Sequence, residues 1–595
     1  MTAIRSAIAM PAIAVREQDG AWHVDAATPL APYPVRLTDC LVRGAGLHPG
    51  RSLAAERGAD GTWRHLSYGA ALDGARRIGQ ALRARGLCAD RPLVILSGND
   101  LAHFQLALGA MYAGVPYAPL SPAYSLGSNA AAHGDGPVHD YARLRRMVDL
   151  LTPGAIFASD GAAYGPAIAA VRPPGCEAIT DCGALLATDP GAIDAVHAAL
   201  DGDTIAKFLF TSGSSGTGGP KAVVTTQRML CSNQQMLLQT FPVLGVAPPV
   251  LVDWLPWSHT FGGSHNVGLV LYNGGTLYID GGRPAAGSFD TTLANLAQIA
   301  PTIHFNVPRG WDMLATALEA DAALRARFFT RVAVLFCAGA ALAPAVWRRL
   351  AALAAGANAS VHILSGLGMT ETAPGCLFGT GALCDAAYVG LPAPGCRVKL
   401  VPVRGKFEAC FAGPHVTPGY WRDPARTAAA FDADGYYRTG DALHFADPRR
   451  PELGLLFDGR LAEDFKLDSG TWVGAGALRA RVVALGAPWV RDAVVAGSGR
   501  AEVAVLVFAH AVAHGRAGAE ARCAALLAGM NAGAHGSATR VARLLVLDGE
   551  PDPATELTDK GSINGAAVLA RRAGLVDALY AGQAPGLQLA GPLTA

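Results

Sequence analysis

Charge is scarce in this chain: Asp, Glu, Lys and Arg make up only 16% of its 595 residues. The two signs nearly cancel, with 48 basic against 47 acidic side chains and a formal net charge of +1. That balance argues against a general nucleic-acid binder and against a protein that binds membrane surfaces by charge. Uninterrupted apolar runs long enough to span a bilayer are absent as well. The positive mean hydropathy reflects abundant alanine rather than a membrane segment. Cysteine is present 11 times, but scattered and without a CxxC pair. The pattern fits a reduced, cytoplasmic enzyme better than a disulfide scaffold or a zinc protein, and that is what we expect. Met1–Val15 carries a single arginine and a weak apolar patch broken by Pro11, so we expect a disordered tail over residues 1–32 rather than a signal peptide.

What the chain does have is length and rhythm. Its size calls for two or more domains. Short apolar runs alternate with longer amphipathic ones. Pro92–Ser97, Leu251–Leu255, Thr276–Ile279, Thr302–Asn306, Val332–Phe336 and His362–Leu364 read as strands. Tyr68–Gly86 and Ala343–Ala355 read as helices, the first ending on a glycine suited to a C-cap. The spacing predicts an α/β fold of layered, largely parallel sheets with helices. Gly127–Asp140 reads as a surface insertion. Past Asp458 the texture changes, and Ala493–Gly497 and Val503–Phe508 predict a hairpin in a small α+β unit. We therefore expect a large domain over 33–459 and a small cap domain over 460–595.

The most informative stretch follows the apolar run Ile205–Phe210. It is the loop Thr211, Ser212, Gly213, Ser214, Ser215, Gly216, Thr217, Gly218, Gly219, Pro220 and Lys221. Glycines let backbone N–H groups converge on one concavity, hydroxyls add donors, and the lysine adds a point charge, which together suit phosphate. The loop is not a Walker A motif, because proline precedes the lysine and Ala222 follows it. Four further constellations come later. Asp253–Gly263 is a strand followed by an aromatic-rich turn presenting His259. Ser365–Thr372 ends a strand on glycines and sets Thr370 beside Glu371, a pairing suited to Mg²⁺ on phosphates. Tyr437–Asp441 places a carboxylate after a glycine turn, able to accept two ribose hydroxyls. Thr558–Asn564 carries Lys560. Taken one at a time, a structural histidine, a helix cap, a loop aspartate and a solvated lysine would explain each.

In this order the motifs resemble those of the adenylate-forming superfamily of acyl-CoA synthetases, peptide-synthetase adenylation domains and beetle luciferases, from about Tyr33 onward. The strings at 253–263, 271–280, 366–374, 457–467 and 557–564 are similar to bacterial feruloyl-CoA synthetases in particular. The resemblance implies ATP, Mg²⁺ and coenzyme A as reactants and metal activator, and a small carboxylic acid as substrate. It implies no nucleic-acid or membrane partner, and leaves monomer and homodimer open. A carboxylate would attack the α-phosphorus of ATP and release pyrophosphate; the CoA thiol would then displace AMP. Positioning of this kind can supply about 7–11 kcal/mol of the barrier.

On that pattern residues 211–216 and Lys221 would grip the pyrophosphate, Glu371 would hold Mg²⁺, and Thr370 would contact the α-phosphate. Gly339, Ala340 and Leu367 would flank adenine, and Asp441 and Arg460 the ribose. The acyl pocket would draw on His259, Phe261, Asn306, Gly339 and Gly366. Lys560 would neutralise charge at the reacting centre, a contribution of about 10²–10³ in rate. A hinge at Leu461-Ala462 would then exchange Lys560 for the Lys466–Val473 segment, with Gly470 making room for the pantetheine arm. Two added glycines in the phosphate loop cost only about 0.2 kcal/mol of loop entropy, and their effect on the reach of Lys221 is the main departure from the pattern. The alternatives are a ligase for benzoate or a medium-chain acid, an enzyme loading a carrier protein, and a nucleotide-binding relative with impaired catalysis.

Overall fold

The computed structural model describes residues 8–9, 12–126, 141–211, 219–285, 287–383, 385–487, 489–509, 516–534, 536–552, 555–557, 563–584 and 586–590. The expected insertion at 127–140, Ser212 to Gly216 of the phosphate loop, and Lys560 therefore lie outside the described residues. No helix among the described residues is long and apolar enough to cross a membrane.

An α/β body holds three sheets, of eleven, six and four strands. The six-stranded sheet is parallel apart from its edge strand Lys221–Thr226, which pairs antiparallel with Ile205–Thr211. Its strands are short apolar runs flanked by helices, the pattern expected of strands buried on both faces. The eleven-stranded sheet is mixed. Its strands Ile303–Asn306, Val334–Cys337 and His362–Gly368 run parallel. The remainder, from Gly375–Phe378 through Leu455–Arg460 to Ile13–Gln18, is antiparallel. The largely parallel character expected from the sequence thus belongs to the parts with helical crossovers, while hairpin connections make the rest antiparallel.

The expected N-terminal tail is corrected from Ile13 onward. Ile13–Gln18 and Ala21–Ala26 form a hairpin that joins the edge of the largest sheet along Arg397–Val403. Its turn is Asp19-Gly20, with φ of 53° and 75°. Both residues must be left-handed in the tight turn that matches strand twist, and Asp-Gly is among the pairs that favour it.

The expected helices form at Tyr68–Ala84 and Pro344–Gly356. Ser67 caps the first by accepting from the Ala70 N–H at 3.2 Å, and Gly86 follows it with φ of 72°. A smaller unit follows the large sheet. Val490–Ala496 and Val503–Ala509 form the expected antiparallel hairpin, extended by Val541–Val546 and Gln588–Leu589. Its apolar core, built on Val505, Val507, Leu526, Met530 and Leu544, is separate from that of the body. Arg460 is the last residue of its strand in the large sheet, paired with Asp441, so the chain leaves that sheet at Leu461.

Candidate active site

The hairpin of Ile205–Thr211 and Lys221–Thr226 sets Lys221 directly opposite Thr211. The register, not the length of the loop between them, therefore decides where the lysine starts. Lys221 Nζ lies 5.0 Å from the centre of the Tyr420 ring. The Tyr420 segment runs alongside the lysine strand: Trp421 N–H donates to Ala222 O at 2.8 Å and Val224 N–H to Gly419 O at 3.1 Å. Tyr420 then donates its hydroxyl to Glu371 Oε1 at 3.1 Å and lies 3.2 Å from the Tyr437 hydroxyl. Glu371 itself is held by its backbone, whose carbonyl accepts from the Thr417 N–H at 2.8 Å. Thr417 donates its hydroxyl to Val224 O at 2.7 Å, closing the circuit back to the lysine strand. Burial, then the Glu371 carboxylate, push both phenols well above the usual tyrosine range, so they remain donors.

Thr370 and Glu371 sit on a short 3-10 turn just after the strand His362–Gly368, and both are buried. Asp441 is buried on the strand Tyr437–Phe445, and Arg460 Nε lies 3.3 Å from its Oδ1 across the strand pair. Gly440 N–H and Arg438 both donate to Glu408, a buried carboxylate that fixes the turn before Asp441.

His259 is half-buried, and its Nδ1 accepts from the Phe261 N–H at 3.2 Å. After it the chain winds into a π-helix over Phe261–Asn266. Such turns concentrate at functional sites. A Cβ on Gly262 or Gly263 would collide with the carbonyls of Leu255 and Trp257, which explains the paired glycines. Three carbonyls of this turn are taken by side chains. Lys207 donates to Gly263 O at 2.7 Å, and Gln234 donates to Ser264 O and His265 O at 3.1 and 3.2 Å. Lys207 is 1% exposed, and burial lowers its ammonium to about 7. Burial likewise pushes the Asp253 carboxyl, at the end of the preceding strand, up to about 7.

Behind His259 lies an aromatic cluster. Phe261, His265, Phe305 and Phe336 meet edge-to-face, tilted or stacked, with ring centres 4.8 to 6.5 Å apart. Asn306 borders it, fully buried, its Oδ1 accepting from Trp254 Nε1 at 3.3 Å and from the Val307 N–H at 2.9 Å. Gly366 faces the same cluster: a Cβ there would meet Phe336 Cζ at 2.9 Å and Leu377 O at 2.6 Å. Gly339, with φ of 89°, and Ala340 form an exposed turn after Val334–Cys337, and Leu367 lies half-buried beside Gly366.

The structure thus joins Thr211, Lys221, Thr370 and Glu371 through Tyr420, and pairs Asp441 with Arg460. His259, Phe261, Asn306 and Gly366 gather around the aromatic cluster. Lys466 and Gly470 sit apart, both exposed, on the two-stranded hairpin Phe465–Lys466 and Trp472–Val473 of the smaller unit. Leu557 and Ile563, described residues on either side of 558–562, pair in a bridge. Glu556, next to Leu557, is fully buried and held by Arg572 at 2.6 and 2.7 Å.

Sequence reasoning missed Tyr420, Thr417, Gln234, Lys207 and Glu556. Of these only Lys207 left a signal, a lone cation inside the apolar run Ile205–Phe210.

The family described as AMP-binding enzyme matches residues 43–421, and the family described as AMP-binding enzyme C-terminal domain matches residues 469–584. The chain belongs to the AMP-binding enzyme family. A carboxylic acid reductase of Mycobacterium tuberculosis is 30% identical over 321 residues, covering 50% of this chain and 26% of that protein. Human long-chain-fatty-acid–CoA ligase 6 is 28% identical over 319 residues, covering 46% of this chain and 43% of that protein. The chain therefore spans less than half the length of these curated relatives. A solved anthranilate CoA ligase in complex with anthranoyl-AMP shares the fold, with a TM-score of 0.69 and 16% identity over 91% of this chain and 98% of that one.

Proposed function

We propose that this protein activates an aromatic, hydroxycinnamic-type acid such as ferulic acid with ATP, as an acyl-adenylate, and passes the acyl group to coenzyme A. The observation that carries the reading is the meeting of Lys221 and Glu371, remote in sequence, across the Tyr420 phenol. A cation and a carboxylate held on either side of one donor suit a metal–triphosphate. The aromatic cluster beside His259 supports an aryl acid, because offset and edge-on rings favour a flat aromatic guest. The solved anthranilate CoA ligase, which shares the fold, is consistent with that choice.

In this reading Lys221 and the loop from Thr211 to Gly216 bind the departing pyrophosphate, and Thr370 contacts the α-phosphate. Glu371 fits Mg²⁺: it is a single buried carboxylate oriented by a phenol, and Mg²⁺ characteristically takes one or two carboxylates plus phosphate oxygens. Bound there, the ion would neutralise charge on the triphosphate. Asp441 and Arg460 hold the ribose, and Gly339, Ala340 and Leu367 flank the adenine. His259 stands beside the acid's carboxylate, with Phe261, Asn306 and Gly366 around its ring. The small domain, taken as 460–595 against a body of 33–459, brings Lys560 to the reacting carboxylate. It then turns about Leu461-Ala462 so that Lys466 and Gly470 meet the pantetheine arm.

Pyrophosphate release with ATP, Mg²⁺ and CoA across ferulate, coumarate, benzoate and octanoate tests the reading. Turnover of the first two with formation of the CoA thioester is expected. Turnover of octanoate with none on ferulate or coumarate would overturn the aromatic assignment in favour of an aliphatic acid, the reading that the likeness to a long-chain fatty-acid ligase favours.

A further inference from the structure

A cluster of soft donors lies behind the Thr370–Glu371 turn. Cys376 is on the strand Gly375–Phe378, Cys396 enters Arg397–Val403, and His415 follows Lys406–Ala412. Their exposures are 0%, 1% and 0%. Each offers one ligand atom, and these atoms all lie within 4.8 Å of one another. Cys376 Sγ is 3.6 Å from His415 Nε2. Donors about 2.0–2.3 Å from one tetrahedral zinc stand roughly 3.5–3.8 Å from each other, so the observed spacing needs little adjustment.

The nitrogen that faces the sulfurs is Nε2, so it is the one that would bind an ion, while Nδ1 lies on the other side of the ring. Room for the ring depends on Gly413, where a Cβ would meet it at 2.9 Å. A cleft of about 480 Å³, walled by Gly395, Arg397, Gly413 and Pro414, lies against the chain neighbours of Cys396 and His415.

We propose that Cys376, Cys396 and His415 bind a zinc ion that fastens three separate segments of the largest sheet behind the Thr370–Glu371 turn. Two sulfurs and an imidazole select a borderline-soft metal over Mg²⁺ or Ca²⁺. As the metal binds, each thiol releases its proton to solvent and a sulfur–zinc bond forms. Two thiolates and neutral imidazole then leave the buried site without net charge. A water takes the fourth position, as is usual where zinc has three protein ligands. Thr417, two residues past His415, bonds the Glu371 carbonyl at 2.8 Å, so the site braces the turn without touching the reactants.

The test is metal content and cobalt substitution of the full chain. After incubation with Zn²⁺ and passage over a weak chelator, about one zinc per chain is expected by mass spectrometry. Co²⁺ in its place should give the thiolate-to-cobalt charge-transfer band. Cys396→Ser and His415→Gln should each lower retained zinc at least tenfold, while Cys523→Ser, in the smaller unit, leaves it unchanged. Where a variant folds poorly, the wild-type cobalt spectrum decides. Absence of that band, equal retention by Cys396→Ser, or a native disulfide between Cys376 and Cys396 would overturn the proposal.

Discussion

Replacing Tyr420 by phenylalanine removes one oxygen and leaves the ring under Lys221 in place. That oxygen donates to Glu371 at 3.1 Å and lies 3.2 Å from the Tyr437 hydroxyl, among three residues each exposed by 7% or less. A hydrogen bond to a charged group contributes about 1.5–3 kcal/mol. Each 1.36 kcal/mol is tenfold in rate, so a full loss of orientation at Glu371 would slow adenylation by roughly 10–150-fold. Tyr437 also lies within hydrogen-bonding reach of Glu371, which moves the expectation to the low end, about tenfold. The assay is ATP–pyrophosphate exchange at saturating acid over a Mg²⁺ titration. Exchange should fall and the Mg²⁺ requirement should rise, with both effects deepening in the Tyr420→Phe, Tyr437→Phe double variant. A folded single variant with unchanged exchange and unchanged Mg²⁺ dependence would refute the idea that the phenol orients the carboxylate for a metal.

Glu556→Gln leaves Arg572 without its carboxylate; because that arginine keeps partial exposure, the loss is about 2–3 kcal/mol by urea unfolding rather than the full ~3–5 of a wholly buried pair. The Arg572 hydrogen bond lowers the folded pKa of Glu556, so its stabilisation is present above about pH 4.5 and fades as pH falls through the folded value; the wild-type minus variant difference in unfolding free energy should shrink there. Lys207→Met should change the pH slope in the opposite range. With its folded pKa near 7 against 10.5 unfolded, the native chain lacks a proton that the unfolded chain holds, so its contribution to stability rises between those values by up to ~1.4 kcal/mol per pH unit. The variant should lose that rise in thermal unfolding against pH. Gly366→Ala presses a methyl against Phe336 and the Leu377 carbonyl, and should raise KM for the acid about tenfold while leaving KM for ATP near wild type, read by pyrophosphate release.

The fold was legible where local signals were strong. Thr276–Ile279 forms the strand expected, and the hairpin of the smaller unit follows from two apolar runs around Ser498-Gly499-Arg500. The N-terminal hairpin was missed because its outer strand is mostly exposed and so lacks an apolar run, although Asp19-Gly20 announced the turn. Around the candidate site, Lys221, Thr370, Glu371, Asp441 and Arg460 stood out by their motifs. Tyr420 and Thr417 did not, since an ordinary tyrosine and threonine gain meaning only from the strand laid beside them.

The sequence by itself determined the family, the order of its motifs and the strands and helices with the strongest local signals, because these depend on neighbours a few residues apart. Only the tertiary structure decided which groups meet. Strand pairing sets Lys221 opposite Thr211 and carries Tyr420 to Glu371; a π-helix borrows Lys207 and Gln234 to satisfy its carbonyls; and three sheet segments bring Cys376, Cys396 and His415 together with no spacing to reveal them. The physical reason is that hydrogen-bond and ligand geometry act over about 3 Å of space, whatever the separation along the chain.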